Sequence, residues 1–405
     1  MSANHTGQEH DGVPKIGQFG LLVMAAAAGV AVANIYYNQP MLGVIEAELG
    51  APGLIGLIPT ATQLGYALGL LLVLPLGDIL SRRRLIIGQL AGLGLLSALA
   101  GLAPNGWTLL AASFLLGLGA SVAQQIVPFA TLLVQPHKRG RALGTVMAGL
   151  LTGILLSRVL SGFVSAHFGW REMFWLAVPL CLGGAAVMYG VLPQHAPSAV
   201  MRYGAVMRSL VDLWRREPAL RRATILQAVL FGTFTAFWTI LAFHLQEPRF
   251  GLGADIAGLF GILGVAGVLA APLVGWIGDR RGPEPAIWLG IGLTLAAWLV
   301  FGLWNAILGL ALGVILLDIG IQGVLVSNQH IIYALDHSAR SRLNTIFMTG
   351  MFLGGAGGSA AASLAWGAYG WFGVCLLGGG LSLLAVAICF ANHLGRPVAD
   401  GREEH

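Results

Sequence analysis

The sequence predicts an all-α membrane protein: twelve transmembrane helices in two six-helix, pseudo-symmetric halves. Three observations carry that reading. Of 405 residues, 57% are hydrophobic and only 10% charged, with a mean hydropathy of +0.80, far from the composition of a soluble domain. At about 20 residues per span plus short loops, the chain has room for twelve crossings. The third observation is an internal repeat. Shifting the sequence by 201 residues lays Gly77-Asp78 on Gly278-Asp279 and Arg139 and Arg141 on Arg340 and Arg342. The same shift lays Met147, Gly149 and Gly153 on Met348, Gly350 and Gly354, and Gly169-Trp170 on Gly370-Trp371. One constant offset across four regions marks a duplication. An even number of spans per half makes the repeats parallel, related by an axis along the membrane normal.

In chain order, residues 1–17 form a polar tail, because "MSANHTGQEHDGVPK" lacks the basic-then-apolar layout of a secretion signal. Span 1 (18–40) presents Asn34, Tyr37, Asn38 and Met41 at helical spacing. Span 2 (53–76) runs into Asp78, Arg82 and Arg83, and span 3 (85–103) follows. Span 4 (107–133) places Gly117, Ser121, Gln124 and Pro128 on one face. Span 5 (142–166) holds Arg158, the sole basic residue deep in a span, with Gly149 and Gly153 spaced for close helix approach. Span 6 (172–192) completes the N-terminal half, 18–192, and a polar, Arg-rich linker occupies 193–221. The C-terminal half, 222–392, opens with span 7 (222–246) and its aromatic stripe of Phe231, Phe234, Phe237 and Trp238. Span 8 (254–278) leads into Asp279 and Arg280, and span 9 (285–303) follows. Span 10 (306–334) carries Asp318, Gln322, Leu325 and Gln329 at steps of three and four, hence on one face. Span 11 (342–367), with Gly350 and Gly354, and span 12 (371–392) precede a polar tail, 393–405.

The basic residues fix an orientation. Nineteen of the 22 lie in the tails, the linker, the loops after even-numbered spans or the first residue of the span that follows, whereas Arg171 and Arg249 lie on the opposite side. The positive-inside rule then puts both termini in the cytoplasm, and the chain is expected in a bacterial inner membrane. This distribution also accounts for the pI of 9.4 without nucleic acid as a partner.

Several motifs are more specific. "GWIGDRRG" (275–282) resembles the loop signature of the major facilitator superfamily. "LPLGDILSRRR" (74–84), "ANIYYNQPML" (33–42) and "SNQHIIYAL" with "RSRLNTIFMTGMFLGG" (327–355) resemble its drug:proton antiporter and sugar-efflux branch. Ser113 stands where that branch has an Arg in span 4, and Ile154 where its span 5 motif has a Pro. The resemblance covers essentially the whole chain. It implies alternating access about a midplane cavity lined mainly by spans 1, 4, 7 and 10, with spans 5 and 10 facing each other across the halves.

Asp318 needs a use, because a carboxylate at hydrocarbon depth costs about 2.5 to 3.5 kcal/mol on insertion scales. It lies 16 residues from the end of its span, about 24 Å at 1.5 Å per residue. Arg158 lies at the same depth from the same side, so an ion pair is geometrically reasonable. The duplication puts Gly117 opposite the acid, leaving space there. Asp318 and Arg158 are therefore the candidate proton-coupling residues, the alternative being that both only bond between helices. Candidate substrate contacts are Asn34, Tyr37, Asn38, Gln124, Trp238, Gln322 and Gln329, since aromatic surface with scattered amides suits a neutral or amphipathic organic molecule. Asp78, Arg82, Arg83, Asp279, Arg280, Arg141 and Arg342 form the candidate cytoplasmic gate, whose contacts must break when the halves rock. His244, His330 and His337 are isolated near helix ends and read as surface residues.

No phosphate-binding loop, nucleophile elbow or HExxH motif is present, which disfavours ATP hydrolysis and membrane enzymology. The isolated Cys181, Cys375 and Cys389 offer neither a disulfide framework nor metal-ligand spacing, and no cofactor is expected. The leading expectation is a monomeric secondary transporter moving a small organic molecule by proton-coupled efflux. An uncoupled facilitator or importer of the same fold, or a receptor without a transport cycle, stays open.

Overall fold

A computed structural model describes residues 16–194, 202–267, 269–270, 280, 282–336 and 339–394. The described residues are helical with short connections, and no strand occurs among them. Ten helices are long and apolar enough to cross a membrane. They are Gln18–Leu49, Gly53–Gly77, Arg82–Gly101, Gly106–Leu132, Pro136–His167, Trp170–Val191, Pro218–Gln246, Pro283–Leu303, Ile307–Leu335 and Arg340–Ala391. The last covers spans 11 and 12 and breaks at Gly370, whose φ of 59° lies in the left-handed region. Ala254–Gly267, with residues 269–270, is the described part of span 8. These are the twelve helices expected.

The duplication is visible in the backbone. Gly169, the counterpart of Gly370, has a φ of 113°. Each glycine precedes a buried tryptophan with its indole N–H satisfied: Trp170 donates to Glu48 at 2.7 Å and Trp371 to the Phe301 carbonyl at 3.0 Å. The small residues play the expected part. A Cβ on Gly153 would overlap the Gly29 backbone of span 1, and one on Gly354 the Ala228 backbone of span 7. Bare backbones pack closely at both crossings.

Three elements differ from expectation. Span 1 continues to Leu49 and is tightened at residues 34–37, where Asn34, Ile35 and Tyr36 bond three residues back. Pro40 explains this: its ring cannot accept the helical position against the Tyr36 carbonyl, which is bonded instead by the Gln39 N–H at 3.3 Å. The linker contains a helix, Tyr203–Arg216, whose Val206, Leu210 and Leu213 are buried at steps of four and three. Span 7 starts at Pro218, where proline fits the first turn, rather than at 222.

The halves meet at one end of the bundle, and at the other the linker helix bonds to the N-terminal half. On the side away from the chain termini, Ser363 of span 11 donates to the Gly56 carbonyl at 2.7 Å, and Gly162 of span 5 lies against Ala254 and Gly258 of span 8. On the terminal side, Tyr203 of the linker helix donates to the Leu72 carbonyl of span 2 at 3.0 Å.

Candidate functional site

The tightened turn of span 1 delivers Tyr36 and Gln39 to the interior, both buried. Gln39 accepts a 2.9 Å hydrogen bond from Nε of Arg158. The guanidinium carbon lies 4.0 Å from the ring centroid of Trp238, 4.7 Å from Tyr36 and 5.9 Å from Phe234. Arg158 is thus a buried cation held in an aromatic box from spans 1 and 7, where ring quadrupoles supply part of the lost hydration.

Beside this box is a cavity of about 330 Å³. Its polar wall comprises Tyr36, Arg158, Asp318, Gln322 and Thr152, and its apolar wall includes Phe231, Phe234, Leu155, Ile321 and Leu325. Gly261 and Gly264 of span 8 complete it. Those glycines matter sterically: a Cβ on Gly261 would lie 3.0 Å from Cβ of Arg158, and one on Gly264 would lie 3.2 Å from Oδ1 of Asp318. Arg158 and Asp318 therefore share one cavity at one level. Among the described residues, however, no ion pair within 4.0 Å joins them.

Span 4 does not contribute to this cavity; spans 5 and 8 take its place beside 1, 7 and 10. The cause is packing within the N-terminal half. Gly117 leaves no room for a side chain, since a Cβ there would overlap the Thr62 carbonyl of span 2. The space expected opposite the acid is filled by backbone, and Gln124 stays half-buried in its own half.

Residues 24–340 match the family model of the Major Facilitator Superfamily. The chain belongs to that superfamily. It is 37% identical over 374 residues to the transporter YgaY of Escherichia coli O157:H7, covering 91% of this chain and 94% of that one. It is 27% identical over 217 residues to the multidrug resistance protein MdtG of Salmonella paratyphi C, covering 52% of each. Among solved structures, a bacterial homologue of the human lysosomal transporter Spinster, in an inward-facing and occupied conformation, aligns with a TM-score of 0.73 at 13% identity. That alignment covers 93% of this chain and 97% of the other, and it supports the fold alone. The protein is a multi-pass membrane transporter of the major facilitator superfamily.

Within this superfamily frame the remaining candidates sort by position. Trp238 touches Arg158, and Gln322 lines the cavity. Asn34 donates to the Val30 carbonyl at 2.8 Å and to Sγ of Cys181 at 3.5 Å, and accepts from Ser97 at 3.3 Å, so helix packing occupies it. Asn38 donates to Thr62 at 2.8 Å. Tyr37 faces a second crevice, between spans 1, 5 and 6, of about 320 Å³. Gln329 is half-buried in span 10, outside the main cavity.

Of the gate residues, Arg82 and Arg342 are brought to one small cleft of about 20 Å³ on the terminal side, with Gln125 and with Leu210 of the linker helix. Arg82 also donates to the Gly77 carbonyl at 3.0 Å. Arg83 donates to the Tyr189 carbonyl at 2.6 Å and covers the Tyr189 ring at 4.7 Å, which ties it within its own half. Arg141 and Arg280 are exposed. Asp279 and the Asp78 side chain lie outside the described residues, as does His337.

His244 overturns its surface reading. It is fully buried, stacked on Trp371 at 3.9 Å, with Nε2 2.9 Å from Asn305 and Nδ1 2.9 Å from Glu247. Partners distant in sequence supply that burial, so no local pattern announces it. Tyr36, Gln39, Gly261 and Gly264 were also missed. The signal for the first two was Pro40: carrying a regular 100° step through a proline-tightened turn selects Tyr37 and Asn38 instead.

Proposed function

We propose that this transporter exports a small organic molecule from a bacterial cell in exchange for protons, acting as a monomer with both termini cytoplasmic. Asp318 carries the proton, and Arg158 is the fixed countercharge. One observation supports this most: a buried acid and a buried base line one cavity between the halves without closing on each other. Unpaired charges are costly in a low-dielectric interior, so a proton, a substrate or a rearrangement must neutralise them at different points of the cycle. Protonation of Asp318 removes its attraction for Arg158, and such a change biases two arrangements of the halves. Arg82, Arg342, Asp78 and Asp279 belong to the gate on the terminal side.

The test is reconstitution in proteoliposomes with an imposed pH gradient and a panel of fluorescent dyes, labelled sugars and labelled amino acids. Wild-type protein should move at least one panel member against its gradient. Asp318→Asn should abolish that proton-driven movement, while exchange at saturating substrate persists. Gradient-driven transport by Asp318→Asn at the wild-type rate, with unchanged pH dependence, would move the coupling role to Glu247 or Asp255.

A further inference from the structure

The two charged groups of the cavity are each incomplete. Nη2 of Arg158 and Oδ2 of Asp318 have no hydrogen-bond partner, although the residues are only 3% and 5% exposed. Leaving a buried charged group unmet costs more than leaving a neutral one. Arg158 is not poised to swing across the gap, since Gln39 holds its Nε and Trp238 and Tyr36 cover its plane. Span 8 sets the spacing: the Arg158 stem rests on Gly261 and the Asp318 carboxylate on Gly264, positions one helical turn apart and about 5–6 Å between neighbours.

A ligand that satisfies both atoms must present an anion and a cation a few atoms apart. A simple organic amine would leave Nη2 unmet, and a simple carboxylate would leave Oδ2 unmet. The rest of the ligand meets Phe231, Phe234, Ile321 and Leu325, a wall that rewards an apolar body rather than a ring of hydroxyls.

We propose that the cavity binds an amphipathic zwitterion, an amino-carboxylate with an apolar side chain, its carboxylate on Arg158 and its ammonium on Asp318. This deepens the transport reading and rests on it. The ammonium and a proton compete for one carboxylate: when the ligand's N–H bonds to Oδ2, the proton on Asp318 leaves to water, and the ligand keeps its own protons. Occupancy by proton or by zwitterion is then mutually exclusive, which is the condition for exchange.

The test uses purified full-length protein in detergent, titrated at neutral pH with L-tryptophan, tryptamine and indole-3-propionate. These share one apolar body and differ only in the charged ends. The zwitterion should bind on the order of tenfold or more tighter than either half-charged analogue, as expected for one further charged contact. Arg158→Gln should abolish the preference for tryptophan over tryptamine. Asp318→Asn should lower tryptophan binding to the level of indole-3-propionate. Should either variant fail to fold, the wild-type comparison decides alone. Tryptamine or indole-3-propionate binding as tightly as tryptophan overturns the proposal, as does no binding of any of the three. The two readings fail separately. Gradient-driven flux of dyes or sugars without a zwitterion preference overturns the ligand class and leaves transport standing. Tight tryptophan binding with no flux of any panel member overturns transport and leaves the binding site.

Discussion

At the residue scale, the site depends on how a single guanidinium is held. Arg158 combines one charge-assisted hydrogen bond with stacking on two or three rings, a fit that a lysine's compact ammonium would not reproduce. Gln39→Ala should strip Nε of its partner and destabilise the protein by about 1.5–3 kcal/mol, read as a lower melting temperature in detergent. Asn34→Ala removes contacts that serve packing only; it should lower stability while leaving ligand affinity within about twofold of wild type, less than 0.5 kcal/mol. An equal loss of affinity in the two variants would mean that span 1 responds as one unit and that Gln39 has no special hold on Arg158.

At the element scale, the proline-tightened turn of span 1 turns a membrane helix into part of a site. Pro40→Ala restores an amide donor and a better helix former, which offsets part of the stability lost when Gln39 leaves Arg158. The variant should nevertheless transport poorly, because Tyr36 and Gln39 rotate away from Arg158; wild-type transport would show that the turn is not needed. The same turn marks where sequence reading succeeded and where it stopped. The spans were legible because hydrocarbon thickness imposes a length and apolarity that no loop satisfies, and the duplication was legible because Gly169 and Gly370 both stand where the backbone needs a positive φ. Asp318 and Arg158 stood out because ionised groups are rare at that depth. The partners of Arg158 did not, since they follow from a local departure from 3.6 residues per turn and from which glycine faces meet. Gly117 and Gly261 look alike in sequence. One admits the backbone of span 2 and the other the side chain of Arg158, a difference set by crossing geometry.

At the scale of the whole molecule, orientation and alternation are the two properties to test. From nineteen basic residues on one side against two on the other we propose that both termini are cytoplasmic; a reporter active only outside the cytoplasm, fused after His405, should stay silent. Alternation requires the contacts on the far side to open. There the Ser363 hydroxyl donates to the Gly56 carbonyl at 2.7 Å, joining span 11 of one half to the turn at the start of span 2 of the other. A disulfide demands Cα atoms within about 4.4–6.8 Å, a distance compatible with such a contact. With Gly56→Cys and Ser363→Cys combined, oxidation should lock the far side shut. Net transport should fall to background, while ligand binding from the terminal side survives, because the bond lies away from Arg158 and Asp318. Reduction should restore transport to the same preparation. Full transport by protein shown to be fully cross-linked would mean that this contact stays closed throughout the cycle and that the halves part elsewhere, at the Gly162 and Gly258 crossing of spans 5 and 8.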